Sequence, residues 1–265
     1  MGPVNTSRKD SLARAVRAAG IEVAPVWFDE VGSTNDEARR LAEDGAPPWT
    51  VVAAGHQTAG RGRRGRAWHD APGASLLCSV VLRPRLQPGQ AHLIALAAAV
   101  AMIDAVGHPA LGAKWPNDLV VGDRKCGGIL AEAAVRGGTV PHVILGVGVN
   151  VSAGPDDLPP DLREGATSLA LEGVEVDADG LLGRFLGSLR DLLERPGFAP
   201  SVVETYRSRC RTLGRLVRAK TTAGERVEGR AVDVDEVGGL LVERDGRVER
   251  VAFGEVEHLR NGRNG

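Results

Sequence analysis

Residues Lys114–Glu132 read KWPNDLVVGDRKCGGILAE, and this stretch predicts a β-hairpin. Apolar runs lie on both sides of Gly122–Asp123, a pair that is typical of a tight turn. The stretch also holds Lys114 and Lys125, two of only four lysines in a chain that otherwise uses arginine. A lysine ammonium is a compact charge that reaches a point, so this concentration hints at a bound anion. On its own, the stretch fits a solvated turn better.

A loop rich in arginine, GRGRRGRAW at Gly60–Trp68, is expected between two strands at 50–55 and 75–82. Its glycines have dinucleotide-loop spacing, but Pro72 and Gly73 follow instead of a helix and no acid lies in 71–103. The Rossmann interpretation therefore fails, and a P-loop fails because Gly-Lys occurs nowhere. Guanidinium groups and accessible backbone N–H groups predict an anion-binding loop. A plain solvated loop is an equally good alternative, whereas an RNA-binding segment would need a longer tract.

Two shorter motifs each have a structural and a functional interpretation. In GSTND (32–36), Thr34 and Glu37 fit a helix capping box, and the same helix start can present hydroxyl and N–H groups to a ligand. In GVGVN (146–150), the glycines allow close packing in a strand, and Asn150 either caps the strand or contacts a base edge.

The composition limits the function classes. The chain has 265 residues, 43% hydrophobic and 25% charged, with a formal net charge of −1. A near-neutral chain is a poor general binder of nucleic acid or membrane surfaces. Three separated cysteines predict a reduced, metal-free, cytoplasmic protein. The apolar run Ile94–Ile103 is shorter than the roughly 20 residues that cross a membrane.

The pattern of the chain changes near Gly214, where short valine-rich runs broken by Gly and Asp begin. These runs predict a small all-β module of about five strands after a larger α+β region. Helices are expected at 34–45, 90–106, 181–195 and 201–212. The predicted organisation is an N-terminal extension at 1–24, a catalytic domain at 25–212 and a C-terminal domain at 213–260.

Taken in this order, GSTND, HQTAGRGRRGRAW, KWPNDLVVGDRKCGGILAE and GVGVNV resemble the biotin–protein ligases, with lipoate ligases as more distant relatives. The resemblance is dense over 28–151 and looser over the β module. It implies a mixed-sheet catalytic domain related to class II aminoacyl-tRNA synthetases and an SH3-like C-terminal β-barrel. It also implies that biotin and ATP form biotinyl-5′-AMP and pyrophosphate, and that biotin then passes to a lysine of a biotin carboxyl carrier domain.

The resemblance implies roles for individual residues as well. Biotin would be bound by Ser33, Thr34, Asn35, Gln57, Gly60, Arg61, Gly62, Arg63 and Lys125. ATP would be bound by Arg63, Arg66, Trp68, Lys114, Asn117 and Asn150. Catalysis would rest on Lys125, Arg61, Lys114 and Asp118, and Asp118 would also orient Mg²⁺ or the incoming amine.

Too few residues precede the motifs for the helix-turn-helix domain of some family members, which predicts a short form without sequence-specific DNA binding. No membrane partner is expected, and the expected state is a monomer or weak homodimer. Two alternatives stay open. A lipoate or octanoate ligase is disfavoured by the arginine-rich loop, and a nucleic-acid binder is disfavoured by the near-zero net charge.

Overall fold

The computed structural model describes residues 6–221, 225–252 and 254–259. The helices are α1 (Thr6–Ala18), α2 (Thr34–Glu43), α3 (Leu93–Val106), α4 (Ala178–Glu194) and α5 (Phe198–Arg209). The strands that precede α4 are β1 (Val26–Phe28), β2 (Thr50–Ala54), β3 (Ser75–Leu82), β4 (Leu111–Lys114), β5 (Asp118–Val121), β6 (Arg124–Arg136) and β7 (Thr139–Asn150).

These seven strands form one mixed sheet in the order β1-β2-β3-β7-β6-β5-β4. The pair β1–β2 is parallel and the other pairs are antiparallel. The hairpin predicted around Gly122–Asp123 is confirmed as β5–β6, with Gly122 at φ +61° in its turn. A positive φ costs glycine little, so the turn residue matches the backbone that the hairpin needs.

Strand side chains alternate between two cores, one on each face of the sheet. Val52, Val81 and Ile144 pack with α2 on one face. The neighbouring residues Val51, Val80 and Leu145 belong to the larger core on the opposite face, with α1, α3, α4 and α5. This period of two along each strand gives each face of the sheet its own core.

Helix α3 is the most apolar element, and its residues are mostly buried between the sheet, α4 and α5. Among the described residues, one helical stretch, Pro88–Val106, is long and apolar enough to cross a membrane by length and composition. It is longer than the apolar run seen in the sequence because a short 3₁₀ turn precedes α3. In this fold it is a core helix.

The segment predicted as an N-terminal extension contains α1, which packs on α4. Leu12 and Val16 of α1 are fully buried in the larger core. The helix therefore contributes to the packing of the catalytic region.

The C-terminal module contains the five strands that the sequence predicts: β8 (Leu216–Thr221), β9 (Arg226–Val234), β10 (Leu240–Arg244), β11 (Arg247–Val251) and β12 (Gly254–His258). They form an antiparallel sheet in the order β11-β10-β9-β8-β12. Trp115 joins this module to the larger sheet: its backbone N–H donates to Thr212 Oγ1 at 3.0 Å and its indole Nε1 donates to the carbonyl of Gly238 at 2.9 Å. The indole is 2% exposed, so Trp115 is a structural anchor.

Candidate active site

A pocket opens on the α2 face of the large sheet, between the start of α2, the arginine-rich loop and strands β6 and β7. Its lining comprises Ser33, Thr34, Asn35, Gln57, Arg61, Gly62, Arg63, Arg66, Trp68, Asn117, Asp118, Lys125, Gly128, Gly146, Gly148 and Glu255, with several apolar neighbours. Most residues that the sequence predicts for the site therefore lie together in one pocket.

The floor of the pocket is a hydrogen-bonded network of neutral side chains that is anchored at one end to the carboxylate of Glu132. Gln57 Oε1 accepts from the Thr34 backbone N–H at 2.8 Å and from its hydroxyl at 3.1 Å. Ser79 Oγ lies 2.6 Å from Asn35 Oδ1 and 2.8 Å from Thr34 Oγ1. Asn35 Nδ2 donates to Glu132 Oε2 at 2.7 Å. These bonds fix the orientation of each amide, and they leave Gln57 Nε2 as a donor for a ligand.

The capping-box prediction for α2 is wrong. The N-cap residue is Ser33, and its side chain makes no capping hydrogen bond. The hydroxyl of Thr34 is bonded to Gln57 instead, and Glu37 accepts from Arg40. The polar groups at this helix start are thus used by the pocket.

The glycines of β7 make room for two side chains that pack closely on one face of the sheet. A Cβ on Gly146 would overlap Asn35 Oδ1, and a Cβ on Gly148 would lie 2.7 Å from Cε2 of Trp68. The prediction that these glycines allow close packing is confirmed. The Nε1 atom of Trp68 is buried and lacks a hydrogen-bond partner among the described residues.

The arginine-rich loop is closed by its own backbone. Gly62 N–H donates to Arg66 O at 2.7 Å, and Trp68 N–H donates to Gly60 O at 2.9 Å. A Cβ on Gly60 would lie 2.8 Å from Trp68 O, so the loop needs glycine there. Gly60 supports the loop without lining the pocket.

Three arginines of the loop are bonded to residues of other segments. Arg61 pairs with Asp36 at 2.7 Å and Glu132 at 3.3 Å. Arg63 Nη1 donates to the carbonyl of Gly254 in β12 at 3.1 Å, and burial lowers its pKa. Arg66 pairs with Glu255 of β12 at 2.6 Å. The C-terminal sheet therefore contacts the loop from across the pocket.

Lys125 provides a second centre of positive charge. Its Nζ lies 2.6 Å from Asp118 Oδ1 and 5.8 Å from the ring centroid of Trp68. Burial raises the pKa of the adjacent Cys126 thiol to about 12, so this thiol is protonated at neutral pH and is no nucleophile.

Two predicted ATP contacts lie outside this pocket. Lys114 lines a second cavity with Arg215 and His258, because β4 is the edge strand that faces the linker to the C-terminal sheet. Asn150 is 7% exposed, and its Nδ2 donates to the carbonyl of Thr167 at 2.9 Å. In this arrangement neither side chain faces the pocket, which corrects the placement expected for both.

Family models match both parts of the chain. The biotin/lipoate A/B protein ligase family matches residues 27–150, and the biotin protein ligase C-terminal domain matches residues 212–259. The biotin–[acetyl-CoA-carboxylase] ligase of Mycobacterium tuberculosis is 39% identical over 241 residues, which cover 87% of each chain. The chain belongs to the biotin–protein ligase family.

Two further members illustrate the family likeness. The bifunctional ligase/repressor BirA of Bacillus subtilis is 33% identical over 240 residues, covering 88% of this chain and 73% of that protein. The biotin protein ligase of Aquifex aeolicus, in complex with biotin and ATP, has a TM-score of 0.71 at 26% identity. The match covers 89% of this chain and 99% of that one.

In this family member, the described residues include no group of three His, Cys, Asp or Glu side chains that could hold a metal ion. Asp118 is a single carboxylate that is already paired with Lys125. Mg²⁺ bound with a nucleotide takes many of its ligands from phosphates and water. The site therefore fits a cation that arrives with the nucleotide and does not fit a resident one.

Ser79, Glu132 and Glu255 bond to side chains of the site and were not predicted from the sequence. Ser79 could have been found as the polar residue in the middle of strand β3, and Glu132 as the final residue of the hairpin motif. Glu255 carries no local signal, because only the packing of the two sheets brings it to the arginine loop.

Proposed function

We propose that this protein activates biotin with ATP and transfers it to a lysine of a biotin carboxyl carrier domain. In the first step, a biotin carboxylate oxygen attacks the α-phosphorus of ATP and pyrophosphate leaves. In the second step, the carrier amine attacks the acyl carbon and AMP leaves. The observation that carries the proposal is the position of Arg61, Arg63 and Lys125 around a neutral, hydrogen-bonding floor.

The floor suits the ureido group of biotin, which has two N–H donors and one carbonyl acceptor. Ser33, Thr34 and Gln57 supply neutral hydroxyl and amide groups within the pocket lining. A neutral ligand head needs such partners because an unmet polar group in a buried site is costly. Asn35 serves this floor by bonding to Ser79 and Glu132.

The cationic residues suit the reacting end. A carboxylate and a polyphosphate repel each other, and a charge pair at about 4 Å is worth roughly 4 kcal/mol at an effective dielectric near 20. Lys125, with Arg61 and Arg63, offsets this repulsion and stabilises the charge that builds on the phosphate oxygens. Gly62 lines the pocket beside these cations, and its own N–H is bonded to the carbonyl of Arg66.

The nucleotide is proposed to lie against Trp68, Arg66 and Asn117 on the loop side of the pocket. Adenine would stack on the indole of Trp68, and Mg²⁺ would accompany the phosphates with Asp118 as a protein ligand. For Asn150 to contact adenine as expected, its amide would have to hydrogen-bond to Thr167 and to the base at the same time. For Lys114 to contact the phosphates, β4 would have to rearrange.

Asp118 is also proposed to act in the transfer step. A free lysine amine has a pKa near 10.4 and arrives protonated, so it must lose a proton before it attacks. Asp118 lies beside Lys125 on the pocket wall, where a carboxylate can orient that amine or accept its proton.

We infer further that the large sheet is related to class II aminoacyl-tRNA synthetases and that the C-terminal sheet is an SH3-like barrel. The proposed domains are residues 25–212 and 213–260, after the segment 1–24. The separate family matches and the five-stranded antiparallel sheet support this division. The three cysteines are free thiols, which supports the proposal of a cytoplasmic protein.

The test is to incubate the protein with ATP, a biotin carboxyl carrier domain and either labelled biotin or labelled lipoate. The proposal predicts pyrophosphate release and labelling of the carrier with biotin only. A carrier variant that lacks the acceptor lysine is the control for the transfer step. Labelling with lipoate in place of biotin would assign the protein to the other branch of the family.

A further inference from the structure

The backbone at Lys125 departs from a regular strand. Val120 pairs with Lys125, whereas the preceding residue Leu119 pairs with Gly127, so β6 contains one extra residue at this point. Such a bulge re-aims a side chain and weakens the local ladder. The ammonium that reaches Asp118 and the pocket is therefore carried on an irregular piece of backbone.

The other edge of this bulge is supported by a separate segment. Strand β7 ends at Asn150, and its last partner on β6 is Gly127, which pairs with Val149. Beyond this point, residues 165–167 run beside β6 in its place. Lys125 N–H donates to the carbonyl of Gly165 at 2.8 Å, and Thr167 N–H donates to the carbonyl of Lys125 at 2.8 Å.

Glu172 attaches this segment to β6. Its Oε1 accepts from the hydroxyl of Thr167 at 2.6 Å and pairs with Nη2 of Arg124 at 2.6 Å. The side chain of Glu172 is 13% exposed, and Thr167 is fully buried. A single carboxylate thus bonds to the residue before Lys125 and to the segment that pairs with Lys125. The amide of Asn150 holds the same segment through the carbonyl of Thr167.

We infer that Glu172 is a positioning residue for adenylation. It holds the bulge so that Lys125 Nζ stands where the biotin carboxylate meets the α-phosphate. Glu172 does not line this pocket and is not proposed to contact a reacting group. It acts through Arg124, Thr167 and the backbone of Lys125. The inference rests on the proposed function, because it assigns the purpose of the bulge to that reaction.

A double-mutant cycle tests the inference. The rate of biotinyl-5′-AMP formation is measured in single turnover for the wild type, Glu172→Ala, Lys125→Ala and the double variant. Misplacement of a catalytic group by a fraction of an ångström costs on the order of tenfold in rate, so Glu172→Ala should lose about that factor. In the Lys125→Ala background the same change should cost less than about twofold, since the group that it positions is gone.

Two further variants separate positioning from general structure. Glu172→Gln keeps a hydrogen-bond acceptor for Thr167 but loses the negative charge that pairs with Arg124. Its rate of biotinyl-5′-AMP formation should therefore lie between those of the wild type and Glu172→Ala. It also keeps the test open if Glu172→Ala does not fold. Glu175→Ala removes an exposed acid from the same loop and should keep the wild-type rate. The dissociation constant for biotin should stay constant across these variants.

Equal losses in the two backgrounds would overturn the positioning role, and so would weaker biotin binding with an unchanged rate. Pyrophosphate release by the wild-type protein distinguishes failure of the positioning role from failure of the proposed function. If the wild type releases no pyrophosphate in response to biotin, the function itself is wrong. If it does and the losses at Glu172 and Lys125 multiply, only the positioning role is wrong.

Discussion

Lys125 is the residue on which the proposed chemistry depends most. It is the lysine within the pocket lining, and its ammonium pairs with Asp118 close to the face of Trp68. Sequence reasoning could select it because lysine is scarce in this chain and because the hairpin pattern fixes its place. The bulge that aims it could not be predicted, since Lys125 pairs there with Ala166, which lies far along the chain.

We predict that Lys125→Ala lowers biotin-dependent pyrophosphate release by about two orders of magnitude or more, because an electrostatic donor to the transition state is lost. The matched control is Lys220→Ala, which removes an exposed lysine in β8. Pyrophosphate release at the wild-type rate in Lys125→Ala would remove this residue from the mechanism.

Arg63 is predicted to retain the intermediate. Its guanidinium reaches across the pocket to Gly254, so Arg63→Gly removes a charge-assisted contact and loosens the loop. One such contact is worth about 1.5–3 kcal/mol, so biotinyl-5′-AMP should escape roughly ten- to a hundredfold faster. Adenylation should survive in part, since Lys125 remains.

The measurement for Arg63 is release of the adenylate after a single turnover, with labelling of an unrelated protein as a second readout. Slow release with intact adenylation would show that Arg63 does not hold the intermediate.

At the level of strands and helices, most of the fold follows from local pattern. The strands β2 and β3, the turn at Gly122 and the apolar helix α3 were all predicted from nearby residues. The helix α2 was predicted to begin at Thr34, but its hydrogen bonding there was not, because Thr34 has two possible partners, its own helix and Gln57. Tertiary structure decides between them, and the hydrogen bond to Gln57 is formed.

The glycines of β7 give a prediction for this strand. Gly146→Ala places a methyl group where Asn35 Oδ1 lies, so Asn35 must move away from Ser79 and Glu132. The KM for biotin should rise about tenfold or more, as expected when a buried hydrogen-bonding floor loses one or more bonds. Gly187→Ala in α4 is the control, because its new methyl group has 4.0 Å of space to Ala19. An unchanged KM in Gly146→Ala would mean that the floor does not bind biotin.

The two sheets together complete the pocket, since Glu255 and Gly254 of the C-terminal sheet contact the arginine loop. Their junction also contains His258, whose Nε2 lies 3.0 Å from Thr212 Oγ1. Burial, Lys114 and Arg215 lower the pKa of His258 to about 4. Such long-range contacts have no signature in the sequence, because they join residues far apart in the chain.

The junction predicts how stability depends on pH. The pKa of His258 is near 6.5 in the unfolded chain and about 4 in the folded protein. Between these values the unfolded state binds a proton that the folded state does not, so stability falls as pH decreases through this window. The loss is negligible above about pH 7.5 and reaches about 2.5 kcal/mol near pH 4.5.

Thermal unfolding from pH 7 to pH 4.5 checks this linkage. His258→Gln removes the titrating group, so its Tm should fall less over the same range than that of the wild type. Parallel curves for the two proteins would mean that His258 titrates alike in both states.

The most direct test of the central claim is recovery of the intermediate itself. The protein is incubated with biotin and ATP, passed through a desalting column and denatured, and the released small molecules are measured by mass spectrometry. The pocket described above predicts that biotinyl-5′-AMP emerges with the wild type and is lost or strongly reduced with Lys125→Ala. A wild-type protein that carries no biotinyl-5′-AMP and releases no pyrophosphate in response to biotin would contradict the assignment of this pocket.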